Sequence, residues 1–303
     1  MASIPSTRTR SLRPATREAI YGYAMASPWL VGFTVFTVFP MVAALVLSFF
    51  RIDFLTETRF VGFSWWESVV SDRTVRKAFY NTGVYVAAVV PLNTVLALMI
   101  AVLLNQGIAG QSIWRTVYYL PSVVSGVAVS LLWQWLYHPE VGLINSMLYR
   151  IGIQGPRWIY DENWAMPAVI IMTLWGAGSA MLIYLAGLRD IPTSLYEAAE
   201  IDGAGPVLRF FRITLPMLSP TIFFNVIMNI IAAWQVFTQA FVMTDGGPNN
   251  ATLTMVLHIY RTAFENFYFG YASAQAWALF VVIMVFVLIA LKTSRSWVHY
   301  ERV

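Results

Sequence analysis

Cysteine is absent from this 303-residue chain, and charged residues make up only 11% of it. Without cysteine there can be no disulfide framework and no Cys-based metal or redox site, and the redox compartment cannot be inferred. With 58% hydrophobic residues and so few charges, the chain lacks the polar surface that an ordinary soluble domain needs. The sequence therefore predicts that much of its apolar surface is buried in lipid.

Lysine is nearly absent as well, since Lys77 and Lys292 are the only two. The net charge of +4 therefore comes from arginine. These arginines lie in short segments between apolar stretches, which is typical of anchors that flank membrane spans. The basic balance does not indicate nucleic-acid binding.

Six long windows contain no Asp, Glu, Lys or Arg, and each is long enough to cross a bilayer once, since a spanning helix needs about 20 residues. We predict an all-α, polytopic membrane helix bundle in which 1–18 form a cytoplasmic tail and 19–303 form one membrane domain. The first apolar run is too long for a signal-peptide core, so we expect it to remain as the first span. The predicted spans are approximately 22–50, 80–104, 116–137, 164–187, 216–242 and 268–291.

The distribution of Lys and Arg gives a modest excess on the side of the N-terminus, and this excess favours both termini in the cytoplasm. The loop between the predicted fourth and fifth spans is then cytoplasmic, and the loops at 51–77 and 138–162 are external. Both external loops are rich in aromatic residues. They form either an aromatic belt at the membrane interface or, in the third loop, a docking surface for an external protein.

The loop from Leu188 to Pro216 carries clear helix signals. Ser194 and Glu197 have the spacing of a capping box that would start a short helix. Gly203 is placed to end that helix, and Pro206 suits the first position of a second helix. The pattern predicts a helix-turn-helix between two spans.

This loop could rest on the lipid surface as an interfacial helix. Its first helix carries Glu197, Glu200 and Asp202, however, and an anionic inner leaflet would repel them. A protein partner is the favoured interpretation.

The same residues resemble the EAA loop of bacterial ABC importer permeases, and the text around them resembles the carbohydrate-uptake branch with its maltose-type and glycerol-3-phosphate-type first permeases. The long N-terminal and external insertions of the maltose protein are missing, so its sugar contacts are not transferred here. The matching positions are Glu197-Ala198-Ala199, Gly203, Ile213 and Leu215-Pro216, with Ile201-Asp202-Gly203-Ala204, Thr244-Asp245-Gly246-Gly247-Pro248 and Phe269-Gly270-Tyr271-Ala272 in support.

The resemblance implies a subunit of a binding-protein-dependent importer in a bacterial or archaeal cytoplasmic membrane. It implies a second permease, two ATP-binding subunits and an extracytoplasmic solute-binding protein as partners. ATP and Mg²⁺ would bind the partner ATPase, with no cofactor on this chain, and the solute would be a sugar or, alternatively, glycerol-3-phosphate or another polyol-type solute. The implied ATPase-coupling residues are Glu197, Ala198, Ala199, Asp202, Gly203, Ala204 and Gly205.

The predicted fifth span carries four neutral amides. At 100° per residue, Asn225, Asn229, Gln235 and Gln239 fall on one side of a continuous helix, and Trp234 points the other way. Amides can hydrogen-bond neighbouring helices, or they can line a pathway for a hydroxyl-rich solute. Both interpretations remain open at this point. A Gly-Ala-Gly-Ser run at 176–179 is expected to permit close helix packing.

The sequence lacks the features of two other classes of membrane protein. A stand-alone secondary transporter should carry charged residues inside its spans, and none of the predicted spans contains Asp, Glu, Lys or Arg. A membrane enzyme would need a nucleophile or metal cluster, and the sequence has no H-E-x-x-H or Walker A motif. We therefore predict no catalytic residue and no metal site.

Overall fold

The computed structural model describes residues 14–52 and 58–299, and these residues are helical almost throughout. The helices are α1 (Pro14–Phe33), α2 (Phe39–Leu47), α3 (Ser64–Ser71), α4 (Arg73–Asn105), α5 (Gln111–Val123), α6 (Gly126–Leu136), α7 (Leu143–Arg150), α8 (Glu162–Leu174), α9 (Gly178–Arg189), α10 (Thr193–Ile201), α11 (Pro206–Arg209), α12 (Leu215–Met217), α13 (Ser219–Trp234), α14 (Thr238–Thr244), α15 (Met255–Tyr260) and α16 (Phe269–Ser294). The described residues also include a two-stranded antiparallel ribbon, β1 (Phe50–Arg51) with β2 (Arg59–Phe60).

Three stretches of helix are long and apolar enough to cross a membrane alone: Tyr21–Leu47, Arg73–Asn105 and Phe269–Ser294. Three bent pairs qualify if each pair counts as one span. The α5–α6 pair bends by 98°, the α8–α9 pair by 44°, and the Pro206–Met217 helix bends by 65° from α13. The chain is therefore an all-α membrane helix bundle with three to six candidate spans.

Every predicted span contains helix, but some spans are one continuous helix and others are broken. The first span joins α1 to α2 through a wider π-helical turn at Thr34–Val38, and α1 already begins at Pro14, inside the predicted tail. Residues 1–13 of that tail lie outside the described part. The second and sixth spans are single helices, whereas the third, fourth and fifth spans are interrupted.

The core is built around α4, which packs against α8, α9 and α13. At one end of the bundle, Tyr137 and Met255 are fully buried, and at the other end Leu104 and Tyr184 are. Close approach of α5 to α9 depends on Gly178, since a Cβ there would overlap the Tyr118 carbonyl oxygen. The predicted packing role of the small-residue run is thereby confirmed at this glycine.

Buried polar side chains fasten the segment between the fifth and sixth spans to α4. The Asn81 amide donates to the carbonyl oxygens of Asn250, at 2.7 Å, and Leu253, at 3.0 Å. The Met255 backbone N–H donates to Thr82 Oγ1 at 2.9 Å. Because unpaired polar groups in a bundle interior are costly, these bonds give the segment one preferred position.

Candidate functional site

The predicted loop helix forms as α10, but it begins differently from the expectation. Pro192 occupies the N-cap position with φ −58° and ψ 128°, and Thr193 is the first helical residue. Ser194 is therefore inside the helix, and no side chain caps the start. The capping-box prediction for Ser194 and Glu197 was wrong, because the fixed φ of Pro192 and its lack of an N–H suit the residue just before a helix.

The end of α10 follows the prediction. Gly203 has φ +76°, a left-handed conformation in which a side chain is strained. Its N–H donates to the Glu200 carbonyl at 3.0 Å, and the Ala204 N–H donates to the Ala199 carbonyl at 2.8 Å. This pair of bonds is a Schellman motif, which ends a helix and satisfies its last carbonyls.

The second helix also starts as predicted, with Gly205 as N-cap and Pro206 at the first position. It continues through a π-helical stretch, Phe210–Thr214, into α12. The Tyr196 hydroxyl lies 2.9 Å from Thr214 Oγ1 and ties α10 to this second helix. The loop is thus a helix-turn-helix fixed to the bundle at its base.

The outer surface of the loop is open. Glu197, Ala198, Asp202, Gly203 and Gly205 are exposed, whereas Ala199 and Ala204 are partly buried. A Cβ at Gly203 or Gly205 would meet no atom within 4 Å, so no other described part of the chain covers this side. The seven predicted coupling residues therefore lie together on the last turns of α10 and the turn that follows it, and five of them are exposed.

One residue of this surface was not among the predicted coupling residues. Ile201, the last residue of α10, is 87% exposed beside acidic Glu200 and Asp202. A partner protein that covered this helix end would bury its apolar surface. The sequence shows Ile201 as an apolar residue between two acidic ones, but only the helix geometry places it at the exposed end of α10.

The four amides of the predicted fifth span do not share one helix. α13 ends at Trp234 and α14 begins at Thr238, so the assumption of a continuous helix to Gln239 was wrong. The break is stabilised by a distant residue, because Thr254 Oγ1 donates to the Val236 carbonyl at 3.0 Å. Trp234 packs on Phe286, with ring centroids 5.2 Å apart.

Three of the four amides still meet at one cavity. Asn229, Gln235 and Gln239 line a cavity of about 300 Å³ between α4, α8 and the broken fifth span. Asn225 does not line it: this residue is buried and donates to the Thr221 carbonyl of its own helix at 3.0 Å. The bond of Asn225 thus lies within α13 and is not the bond to a neighbouring helix that the sequence analysis offered as an alternative.

Sequence reasoning missed the opposite wall of this cavity. Tyr85 and Asn93 on α4 and Thr173 on α8 line it, and the Tyr85 hydroxyl lies 3.0 Å from Thr173 Oγ1. Asn93 is 8% exposed, and its Oδ1 has no hydrogen-bond partner among the described residues. Asn93 was visible in the sequence as a lone amide in an apolar run.

The described residues hold no group of three or more His, Cys, Asp or Glu side chains that could bind a metal ion. The cavity lining is made of amide, hydroxyl, aromatic and aliphatic groups. Such groups can donate hydrogen bonds to a polar solute and accept hydrogen bonds from it.

Comparisons with known proteins agree with this geometry. Residues 93–299 match the family described as the binding-protein-dependent transport system inner membrane component. The probable ABC transporter permease protein YesP of Bacillus subtilis is 43% identical over 97% of this chain and 96% of its own length. The trehalose/maltose transport system permease protein MalF of Thermococcus litoralis is 34% identical over 92% of this chain and 95% of its own.

A solved structure gives the same fold. A crystal structure of a bacterial alginate ABC transporter, in complex with an alginate pentasaccharide-bound periplasmic protein, contains a chain that matches with a TM-score of 0.80 and 26% identity. The match covers 93% of this chain and 96% of that one. The chain described here belongs to the inner-membrane permease family of binding-protein-dependent ABC importers, in its carbohydrate-uptake branch, and is a multi-pass transport subunit.

Proposed function

We propose that this chain is one of two six-span permeases in an importer, with both termini in the cytoplasm. In this arrangement one of the two ATP-binding subunits docks on the loop at 193–206, and the solute-binding protein delivers solute from outside. ATP and Mg²⁺ bind those ATPase subunits, and no bond chemistry occurs on this chain. The observation that carries the proposal is the open turn around Gly203, which is shaped by its own backbone and left uncovered.

The contacts of the loop suggest how it transmits force. α10 follows α9 after a short connection, and the Tyr196–Thr214 bond ties it to the helix that leads into α13. A partner that grips Ile201 and the acidic side chains would therefore move α9 and α13 together. Since α13 lines the cavity, closure of the ATPase pair would switch the cavity between the two sides of the membrane.

The docking claim is tested by co-purification. A tagged chain, co-expressed with its partners, should retain the ATPase subunit in mild detergent. The double variant Glu197→Arg with Ile201→Arg should lose it, because it reverses a charge and removes the apolar anchor. Ile151→Arg is a matched control, since Ile151 is 70% exposed at the opposite end of the bundle. Retention of the ATPase by the double variant would contradict the proposal.

We further propose that the transported solute is a sugar that passes the cavity beside Asn229, Gln235 and Gln239. Their amides suit sugar hydroxyls, which both donate and accept hydrogen bonds. The relatives alone do not decide the solute, since one is a trehalose/maltose permease and a structural match imports the acidic polysaccharide alginate. Glycerol-3-phosphate or another polyol-type solute is the alternative.

Transport assays on cavity variants separate these possibilities. Gln239→Leu should raise the KM for sugar uptake by about fivefold, because one lost hydrogen bond to a solute is worth about 1 kcal/mol. Asn225→Leu is the comparison variant, since its side chain bonds its own helix. Equal kinetics for Gln239→Leu and the unaltered chain would remove this residue from the pathway. Inhibition by glycerol-3-phosphate but not by sugars would favour the alternative.

A further inference from the structure

The segment between α6 and α8, residues 138–162, forms a small compact unit that we call the external lobe. Its centre is Asn145 on α7. The Asn145 amide donates to the carbonyl oxygens of Pro139, at 3.0 Å, and Pro156, at 3.1 Å, and its Oδ1 accepts from Trp158 Nε1 at 2.7 Å. One side chain thus joins the start, the helix and the end of the lobe.

The external lobe is also crowded and anchored. A Cβ on Gly142 would overlap backbone atoms of His138 and Leu136, and a Cβ on Gly155 would overlap the Asn145 side chain. Trp158 is buried against Tyr137, with ring centroids 4.9 Å apart. The position of the lobe is therefore set by the bundle beneath it.

This rigid unit presents an open cleft of about 520 Å³. Arg150 and Arg157 line it, both exposed, and neither forms an ion pair with any residue in the described part of the chain. Glu140 is the acidic residue of the lining. Two unpaired guanidinium groups on a fixed frame suit carboxylates, which arginine binds with two parallel hydrogen bonds.

We propose that the external lobe docks an acidic surface of the solute-binding protein, with Arg150 and Arg157 receiving its carboxylates. This inference rests on the proposed function, because the bent α8–α9 span separates the lobe from the loop at 193–206 and so places it outside the cell membrane. A binding protein is the favoured occupant, since the family is binding-protein-dependent and a matching transporter was solved with its periplasmic protein. Anionic lipid and an anionic solute are the competing occupants.

The test uses the complete complex reconstituted in vesicles of neutral phosphatidylcholine, with purified, solute-loaded binding protein. Arg150→Glu with Arg157→Glu should raise the concentration of binding protein that half-saturates ATP hydrolysis by about tenfold or more. The ATPase rate without binding protein and the rate at saturation should stay unchanged. Arg59→Glu is the control, since it replaces one exposed arginine of the other external loop by glutamate, with half the charge change of the double variant, and should shift nothing.

The outcomes are distinct. An unchanged half-saturating concentration, or an equal shift in Arg59→Glu, overturns the docking surface. If the half-saturating concentration shifts only when anionic lipid is added, the arginines bind lipid. If only the KM for the solute shifts, the arginines bind the solute. Either result overturns the proposed docking of the binding protein. If even the unaltered complex shows no stimulation by the binding protein, the proposed function itself fails.

A second measurement needs no charge change and so does not depend on the folding of the double variant. Tyr149 lines the cleft and is 80% exposed. A photo-crosslinking phenylalanine analogue at position 149 should capture the purified binding protein on illumination. The same analogue at Phe60, which is 65% exposed in the other external loop, should capture much less. Absence of an adduct at position 149 overturns the proposal.

Discussion

The external lobe and the loop at 193–206 lie at the two ends of the fourth span, and they reach their shapes in different ways. The lobe is held by side chains, with Asn145 bonded at three points and two glycines where any side chain would overlap a neighbour. The loop is held by its backbone, through the bonds around Gly203, and it faces open space. A rigid surface and an open surface therefore coexist in one subunit.

This difference suits the two proposed partners. A binding protein that arrives and leaves by diffusion benefits from a preformed platform, because little ordering is needed on contact. In the proposed function an ATPase subunit remains attached and pulls on the loop, so the loop needs a firm base and an uncovered surface. Substitutions that act on side chains should therefore weaken the lobe more than the turn of the loop.

The largest loss of stability is expected from substitution of Gly142. Gly142→Ala places a methyl group on backbone atoms of His138 and Leu136, which cannot move without displacing α6. We expect a loss of about 3 kcal/mol or more in stability. Thermal unfolding of the purified subunit in detergent measures it. Gly205→Ala is the control, since a Cβ there meets nothing within 4 Å, and equal melting temperatures for both variants would contradict the account.

A smaller loss is expected at Asn145. Asn145→Leu removes three hydrogen bonds and leaves the Pro139 and Pro156 carbonyls and the Trp158 N–H without this partner. At about 1 kcal/mol each, the variant should lose roughly 2 to 3 kcal/mol. Ser146→Ala is the neighbouring control, since its exposed hydroxyl bonds only the Gly142 carbonyl of its own helix start. A lobe held by packing alone would melt unchanged in Asn145→Leu.

The hydrogen bond between Tyr196 and Thr214, at the base of the loop, should contribute less to stability. Tyr196→Phe removes the hydroxyl that lies 2.9 Å from Thr214 Oγ1, at an expected cost of about 1 kcal/mol. A double-mutant cycle with Thr214→Val measures the pair on thermal unfolding. Additive effects of the two single variants would show that the bond does not fix the loop to the bundle.

The smallest effect is expected at the exposed ion pair of the loop. Arg209 Nη1 lies 3.4 Å from Glu200 Oε2, and the Glu200 side chain is 74% exposed. Glu200→Gln should change stability by less than about 0.5 kcal/mol, because solvent screens such pairs. A larger loss in the isolated subunit would show that side chains, and not the backbone alone, maintain the loop.

The loop, which is shaped by its backbone, was easier to predict from the sequence than the lobe, which is held by side chains. Gly203, Gly205 and Pro206 act through backbone geometry within a few residues, so the turn and second helix were predictable. The start of α10 was missed because two cues competed, and Pro192 was favoured over Ser194.

The interrupted spans depend on distant residues. The break after Trp234 relies on a bond from Thr254, 18 residues away, and helical periodicity carries no sign of it. The cavity was predicted in part, since Asn229, Gln235 and Gln239 meet there, but Tyr85 and Thr173 join it from other helices. The external lobe was predicted as an aromatic-rich loop that forms either an interfacial belt or a docking surface for an external protein, and its organisation around Asn145 was not predicted.

The central claim is that the turn around Gly203 couples this permease to ATP hydrolysis on another subunit. The most direct test measures ATP hydrolysis stimulated by solute-loaded binding protein in a reconstituted complex carrying Gly203→Val. Gly107→Val is the matched control, since Gly107 has φ +70°, against +76° at Gly203, and neither Cβ would meet an atom within 4 Å. We predict loss of stimulation in Gly203→Val and its retention in Gly107→Val. Full stimulation in both variants would contradict it.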